Sequence, residues 1–256
     1  MRMKNEILGL CDYDCINQYI KNSWDKNVKT RALDLEKATD SSYLNLIMPW
    51  VVNKVLEKTS INSNIIDLGC GCGYLTNTIY NKGRHNITGV DISPASIDYA
   101  REKYPYISFV CEDICKTTDI QKYDLCLAVM VLNNMPNIKN FFNVIQNILT
   151  TGGTLLLVIP HPCFWPQQHL KEPDFIYAKE KTYEFNFATQ GCKDYSSILY
   201  FHRMLETYLD YIKDAKLILE DFHEIVEPNI KRKPDILCME LTFLPTKEKM
   251  NMVKTK

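Results

Sequence analysis

Ile65 to Leu75 read IIDLGCGCGYL. Three glycines fall on alternate positions, directly after a β-branched run and directly before Tyr74–Tyr80, a stretch with helical spacing. A turn of this composition lies at the end of a strand and the start of a helix. In an open α/β sheet, ligands bind at that place, beyond the carboxyl ends of the strands. Glycine admits backbone angles closed to other residues and carries no Cβ to hold a ligand away. The interleaved Cys70 and Cys72 raise a rival reading, a metal centre. Metal needs three or four ligands, and no Cys-x-x-Cys pair occurs among the ten cysteines. We therefore expect no metal, and read Cys70 and Cys72 as small residues fitting a tight loop.

Outward from this turn, short apolar runs alternate with helical segments. The runs are Ile65–Leu68, Ile87–Val90, Ile107–Cys111, Leu125–Val129 and Thr154–Ile159, nearly continuous as strands buried on both faces should be. Between them lie Tyr74–Tyr80, Ser93–Lys103 and Asn137–Leu149. The second opens on a capping serine with Pro94 at its first position, and the third on a capping asparagine. Strand–helix alternation at this spacing predicts a parallel sheet covered on both faces. Before it, Pro49 opens a helix with Trp50, Val51, Val52, Val55 and Leu56 on one face. The first 40 residues, polar and weakly periodic, read as short helices. After Ile159 the alternation stops. Residues 161–197 are rich in proline, aromatics and charge, and a helix over Met204–Ala215 precedes strands over Ile218–Val226 and Ile236–Leu244. A tight connection around Pro228 to Pro234 makes those two strands an antiparallel pair.

The glycine spacing is one residue shorter than the dinucleotide fingerprint Gly-x-Gly-x-x-Gly, whose third position would be Tyr74. Asp91 ends the second strand, where a carboxylate accepts hydrogen bonds from a ribose diol. Glu112-Asp113-Ile114 follow the third strand, a carboxylate beside an apolar surface for a flat base. Together these residues outline an adenosine site.

On Asp67-Leu68-Gly69-Cys70-Gly71-Cys72-Gly73, Gly89-Val90-Asp91-Ile92-Ser93, Glu112-Asp113-Ile114, the stretch from Tyr123-Asp124-Leu125 to Val131-Leu132-Asn133-Asn134-Met135, and Gly152-Gly153-Thr154, the chain resembles the class I S-adenosylmethionine-dependent methyltransferases, small-molecule type. The resemblance covers roughly residues 45–160. It implies a Rossmann-like, mostly parallel seven-stranded sheet with helices on both faces and an antiparallel last strand. It implies S-adenosyl-L-methionine as cofactor and S-adenosyl-L-homocysteine as product. By position, Gly69, Cys70, Gly71 and Gly73 run along the methionine part, Asp67 holds its amino end, and Asp91 with Ile92 the ribose. Glu112, Asp113 and Ile114 frame the adenine, and Ala128, Val129 and Met130 line the strand-four side. The family often has histidines where this chain has Asn133 and Asn134.

The remaining expectations concern the acceptor. His161, after strand five in Pro160-His161-Pro162, is the acid–base candidate, since imidazole titrates near neutrality; a structural histidine at a strand end is the competing reading. Asn134, Phe164, Trp165, Tyr200, His202 and Arg203 are the substrate-side candidates, Arg203 as a carboxylate clamp or as an ordinary ion-pair partner. Cys163 reads as a structural thiol rather than a nucleophile, and His85, His169 and His223 as surface residues. The organisation expected is one domain: a helical cap over 1–45, a cofactor core over 46–160, a substrate lid over 161–203, and a closing helix with antiparallel strands over 204–247.

A formal net charge of −1 points away from a nucleic-acid partner. No window approaches a membrane span, and no signal-peptide pattern opens the chain, so the cytoplasm is the expected location. Methyl transfer to a small molecule is the leading reading. A tRNA or protein methyltransferase, or a non-catalytic partner protein keeping the cofactor fold, are its alternatives.

Overall fold

The computed structural model describes residues 12–117, 121–170, 172–226 and 233–244. Seven strands form one sheet: β1 (Ile65–Leu68), β2 (Ile87–Asp91), β3 (Ser108–Cys111), β4 (Tyr123–Val129), β5 (Leu149–Pro160), β8 (Leu217–Ile225) and β9 (Ile236–Phe243), in the order β3-β2-β1-β4-β5-β9-β8. β1 pairs in parallel with β2 and with β4, whereas β9 runs antiparallel to β5 and to β8. The order reverses between β1 and β4. That is the topological switch point, where a crevice opens beyond the carboxyl ends of the strands.

The period-two alternation of the strands sorts their side chains into two cores. On one face, Ile66, Leu68, Cys126, Ala128, Leu155 and Leu157 meet α5 (Ile138–Ile148) and α7 (Leu205–Asp214). On the other, Ile65, Leu125, Leu127, Leu156 and Val158 meet α2 (Met48–Lys58), α3 (Tyr74–Tyr80) and α4 (Pro94–Lys103). Burial on both faces is why these strands read as continuous apolar runs. The expected caps are present: Ser93 accepts from the Ser96 amide at 3.1 Å, and Asn137 from the Asn140 amide at 3.1 Å.

One expectation is corrected and one region is filled in. The polar N-terminal region is not a set of short helices but one 24-residue helix, α1 (Tyr13–Glu36), capped by Asp12. Tyr13, Asn17, Ile20, Trp24, Val28, Arg31 and Leu35 recur at intervals of three and four, so they share one face. Polar residues within that stripe hide it from a purely apolar reading. The proline- and aromatic-rich segment, to which the sequence reading assigned no element, has structure of its own. It contains a short helix, α6 (Trp165–His169), and then β6 (Lys181–Asn186) paired antiparallel with β7 (Ser197–His202) in a separate two-stranded sheet. The turn expected around Pro228 to Pro234 lies mostly outside the described residues.

α1 and the β6–β7 hairpin are sewn together. Ile16, Tyr19, Ile20 and Trp24 pack against Leu199 and Phe201. The Asn27 side chain both accepts from the Ser196 amide (2.7 Å) and donates to its carbonyl (3.2 Å). Asp34, buried, accepts from Thr189 and Tyr195, each at 2.7 Å. The result is a roof over the crevice.

Candidate active site

Under that roof lies a cavity of about 590 Å³, within the range of roughly 300–1,000 Å³ usual for small-molecule sites. Its floor is the glycine turn. Gly69 adopts φ +81°, and a Cβ there would stand 2.4 Å from Val131 Cγ2, in the loop after β4. Gly71, at φ +54°, has no atom within 4 Å of the place a Cβ would occupy. One glycine thus permits the two switch-point loops to touch, and the other leaves backbone bare beside the cavity. Met130, also lining the cavity, holds φ 58° as β4 ends, a strained angle of the kind that gathers at functional sites.

Asp91 ties the floor together. Its carboxylate accepts from the Gly71 amide and from the Ser93 amide, both at 2.9 Å. Burial pushes its pKa up, against the pull of those amides. Each oxygen retains a lone pair, so a diol in the cavity still finds an acceptor. Asp67 sits beneath the turn and accepts from the Thr76 hydroxyl at 2.6 Å; burial pushes its carboxyl up to about 6. Burial likewise raises the Cys70 and Cys72 thiols. These are packed groups rather than thiolates ready to bind metal, and Cys72 lies against Val28, Ala32 and Leu35.

The roof is latched to the floor at two carboxylates. Asp113 receives the Tyr13 hydroxyl (3.1 Å), the Asn17 amide (2.8 Å) and the backbone of Cys115 (3.0 Å). Asp25 of α1 accepts from Ser93 Oγ (2.6 Å) and the Ala95 amide (3.1 Å) at the start of α4. Arg31 faces the cavity from α1, bonded to Asp40 at 2.6 Å with its guanidinium over Tyr43. Burial works against its charge, but Asp40 more than offsets that.

Of the residues expected at the cofactor, Gly69, Cys70, Gly71, Asp91 and Ile92 line the cavity, as do Asp113, Ile114, Val129 and Met130. Asp67, Gly73, Glu112 and Ala128 do not. Ala128 points into the α5 core, and Glu112 accepts from Thr117. On the acceptor side, Asn134 and Trp165 line the cavity.

The other expected acceptor residues are placed elsewhere. His161 is 2 % exposed; its Nε2 meets Glu224 at 2.8 Å and its Nδ1 accepts from the Cys163 amide at 3.2 Å, with Phe164 beside the ring. It braces the end of β5 rather than facing the cavity. Arg203 is no clamp for a ligand, since its guanidinium binds the carbonyls of Leu132, Met135 and Pro136, fixing the loop after β4. His202 meets the Tyr177 carbonyl at 2.8 Å, and burial lowers its pKa. Tyr200 stands behind Trp165, ring centres 4.8 Å apart.

Sequence reasoning missed Tyr13, Asn17, Trp24 and Arg31 on α1, whose shared helical face was the available signal. It also missed Asn133, Gln168, Phe185, Phe187 and Asp235, which line the cavity, and it placed His169 on the surface although His169 lines the cavity as well. No local pattern marks those; the fold gathers them.

A family model described as a methyltransferase domain matches residues 65–153. Malonyl-[acyl-carrier protein] O-methyltransferase of Acetivibrio thermocellus is 30 % identical over 112 residues, 41 % of this chain and 40 % of that protein. Trans-aconitate 2-methyltransferase of Escherichia coli is 28 % identical over 152 residues, 59 % of this chain and 55 % of that protein. The chain thus spans about half the length of these curated relatives. Among solved structures, an S-adenosylmethionine-dependent methyltransferase from Clostridium acetobutylicum superposes with a TM-score of 0.59 at 19 % identity, covering 82 % of this chain and 98 % of that one. The 1,6-didemethyltoxoflavin-N1-methyltransferase of Burkholderia thailandensis gives 0.53 at 14 % identity, covering 85 % and 91 %. The matched segment begins with the strand that carries the glycine turn and ends at Gly153, so the cavity floor lies within the stretch that is similar to a methyltransferase domain, and the chain shares the fold of S-adenosylmethionine-dependent methyltransferases.

Proposed function

We propose that the chain transfers a methyl group from S-adenosyl-L-methionine to a small-molecule acceptor held in the roofed cavity. The observation that carries this is continuity: one roofed space runs from the glycine turn and Asp91 to an aromatic wall of Trp165, Phe185 and Phe187. The bare backbone at Gly71, the lone pairs left on Asp91 and the apolar side of Ile114 fit the cofactor. When bound, it supplies an electrophilic methyl on a sulfonium, already a strong donor.

The protein's part is placement. Asp91 grips the sugar and Ile92 and Ile114 flank the base. Arg31, which lines the cavity while paired with Asp40, suits the carboxylate of the methionine end through its remaining N–H groups. The roof excludes water and aligns the acceptor opposite the leaving sulfur, at about 3 Å, which is worth several kcal/mol of barrier. The named activities of the curated relatives, on trans-aconitate and on malonyl-acyl carrier protein, lend support to a metabolite-type acceptor.

Calorimetry tests the first half. S-adenosyl-L-homocysteine should bind one site per chain, and Asp91→Ala should weaken it at least tenfold. A metabolite extract incubated with methyl-labelled cofactor tests the second. Label moving into small molecules supports the reading, and label confined to RNA or protein overturns it.

A further inference from the structure

The far end of the cavity, away from the glycine turn, is built around a carboxylate. Asp235 immediately precedes β9, whose first residue pairs with Pro160 at the end of β5. It therefore stands at the carboxyl edge of the sheet, three strands from β1. At the usual spacing of strands that is about 14 Å across from the glycine turn. The separation sets Asp235 apart from Asp91 and the cofactor floor.

Asp235 lines the cavity and is 5 % exposed. One oxygen accepts from Gln168 Nε2 at 2.6 Å and lies 3.3 Å from His169 Nε2. The other, Oδ2, is buried without a hydrogen-bond partner. Among the described residues no lysine or arginine pairs with it, and His169 is the sole basic side chain at hand. Asn133, across the same cavity and 7 % exposed, likewise keeps a buried Oδ1 without a partner, its amide nitrogen being turned to Asn134. Both orphaned atoms are acceptors. A buried carboxylate or amide oxygen left unmatched is costly, so the cavity has acceptors to spare, and at the far end the unmatched acceptor is the Asp235 carboxylate.

The walls agree. Trp165 stacks on His169 (4.9 Å between ring centres, 21° between planes) and meets Phe185 edge-on at 5.5 Å. Tyr200 lies 4.8 Å from the same indole, so both faces of Trp165 are covered and this wall is aromatic and apolar, without a charge of its own. Across the whole cavity, the lining carries Asp40, Asp91, Asp113 and Asp235 against Arg31, and Arg31 is already bonded to Asp40. A polyanionic acceptor meets repulsion here.

From this we infer that the acceptor bears a protonated amine on a flat, partly apolar body, the ammonium docking at Asp235 Oδ2 beside the Trp165–Phe185 wall. The inference rests on the methyltransferase reading for the word acceptor, but the binding preference stands by itself.

The test separates the two. The whole chain is titrated calorimetrically with phenethylamine and, as its carboxylate counterpart, 3-phenylpropionate, at pH 7.5, with and without saturating S-adenosyl-L-homocysteine. The amine should bind at least tenfold tighter than the acid in both conditions. Asp235→Asn, which keeps the shape and one acceptor oxygen, should weaken the amine by roughly 10- to 100-fold while leaving the affinity for S-adenosyl-L-homocysteine within twofold. Equal affinity for the two probes, preference for the acid, failure of the amine to bind, or an Asp235→Asn protein with its amine preference intact overturns the inference. Amine preference together with no binding of S-adenosyl-L-homocysteine upholds it and removes the methyltransferase reading instead.

Discussion

The floor of the cavity comes from one turn of consecutive residues and the strand ends beside it, whereas the roof and far wall gather Tyr13 and Trp24, Phe185, and Asp235 from three distant segments. The floor meets its ligand with backbone, and its demands are steric: positive φ and missing Cβ atoms. The far wall uses side chains, and its demands are electrical. Asp34 reaching Tyr195 across 161 residues of sequence is typical of how the roof is joined. A single substitution should therefore act differently in the two regions, by geometry in the floor and by lost bonds in the roof.

The floor offers the largest effect. Gly69→Ala forces a Cβ to within 2.4 Å of Val131 Cγ2 at φ +81°. Strain at that angle costs roughly 1–3 kcal/mol, and the forced displacement of Val131 about 1–3 kcal/mol more. Gly71→Ala meets no atom within 4 Å and should cost only the strain, roughly 1–2 kcal/mol, yet it sets a methyl beside the cofactor. Denaturant unfolding and calorimetry together distinguish them: Gly69→Ala loses fold and binding, and Gly71→Ala mostly binding. Equal stability losses would show that the two loops do not touch as closely as described.

Next comes the junction between the regions. Arg203→Met retains the aliphatic stem but strips donors from the carbonyls of Leu132, Met135 and Pro136. Buried acceptors left without partners cost roughly 1–3 kcal/mol apiece, so a loss of about 3 kcal/mol is expected in unfolding experiments. Hydrogen exchange should rise in residues 131–136.

Legibility in the sequence follows the same division. The strand–helix alternation and the caps at Ser93 and Asn137 are local chemistry, and they were readable to within a residue or two except at β5, which starts at Leu149 rather than Thr154. Asp91 and the glycines were readable because backbone geometry dictates residue type at each position. α1 was misread because its buried face mixes Asn17 and Arg31 with Ile20 and Val28, so no apolar stripe stands out. Asp235 was invisible for a stronger reason: a lone Asp before a strand has no signature, and only the antiparallel return of β9 brings it to the cavity. Arg203 and His161 misled because their residue types suggest ligands, while the fold uses them to satisfy carbonyls and an exposed carboxylate.

Asp67 and Asp91 share the floor's pH dependence, both raised by burial, and Asp67 gives the cleaner test. Burial raises its folded pKa to about 6 from an ordinary 3.8. A carboxyl whose folded pKa is raised contributes stability that is full below the unfolded pKa and is lost as pH rises through the folded one. The window is therefore about pH 4 to 6, and the shift of roughly 2 units corresponds to about 3 kcal/mol at most. Asp67→Asn removes the ionisation while retaining an oxygen for Thr76. Relative to the parent, the variant should gain stability between pH 4 and 6 and hold that gain above it. Parallel pH–stability curves for the two proteins would place the titration elsewhere.

His161 gives the smallest effect and the sharpest contrast with the floor. Its Nδ1 accepts from the Cys163 amide, so the proton resides on Nε2 and is donated to Glu224. A ring with both nitrogens engaged has no lone pair to receive a proton from an acceptor, and the ring does not line the cavity. His161→Ala should therefore cost about 1–2 kcal/mol of stability, chiefly through the freed amide and the gap beside Phe164. Methyl transfer, measured with labelled cofactor at a temperature where both proteins are folded, should stay within twofold of the parent. A fall of tenfold or more at undiminished cofactor affinity would mean that the β5 end swings into the cavity during turnover, and the division between a chemical floor and a bracing strand end would no longer hold.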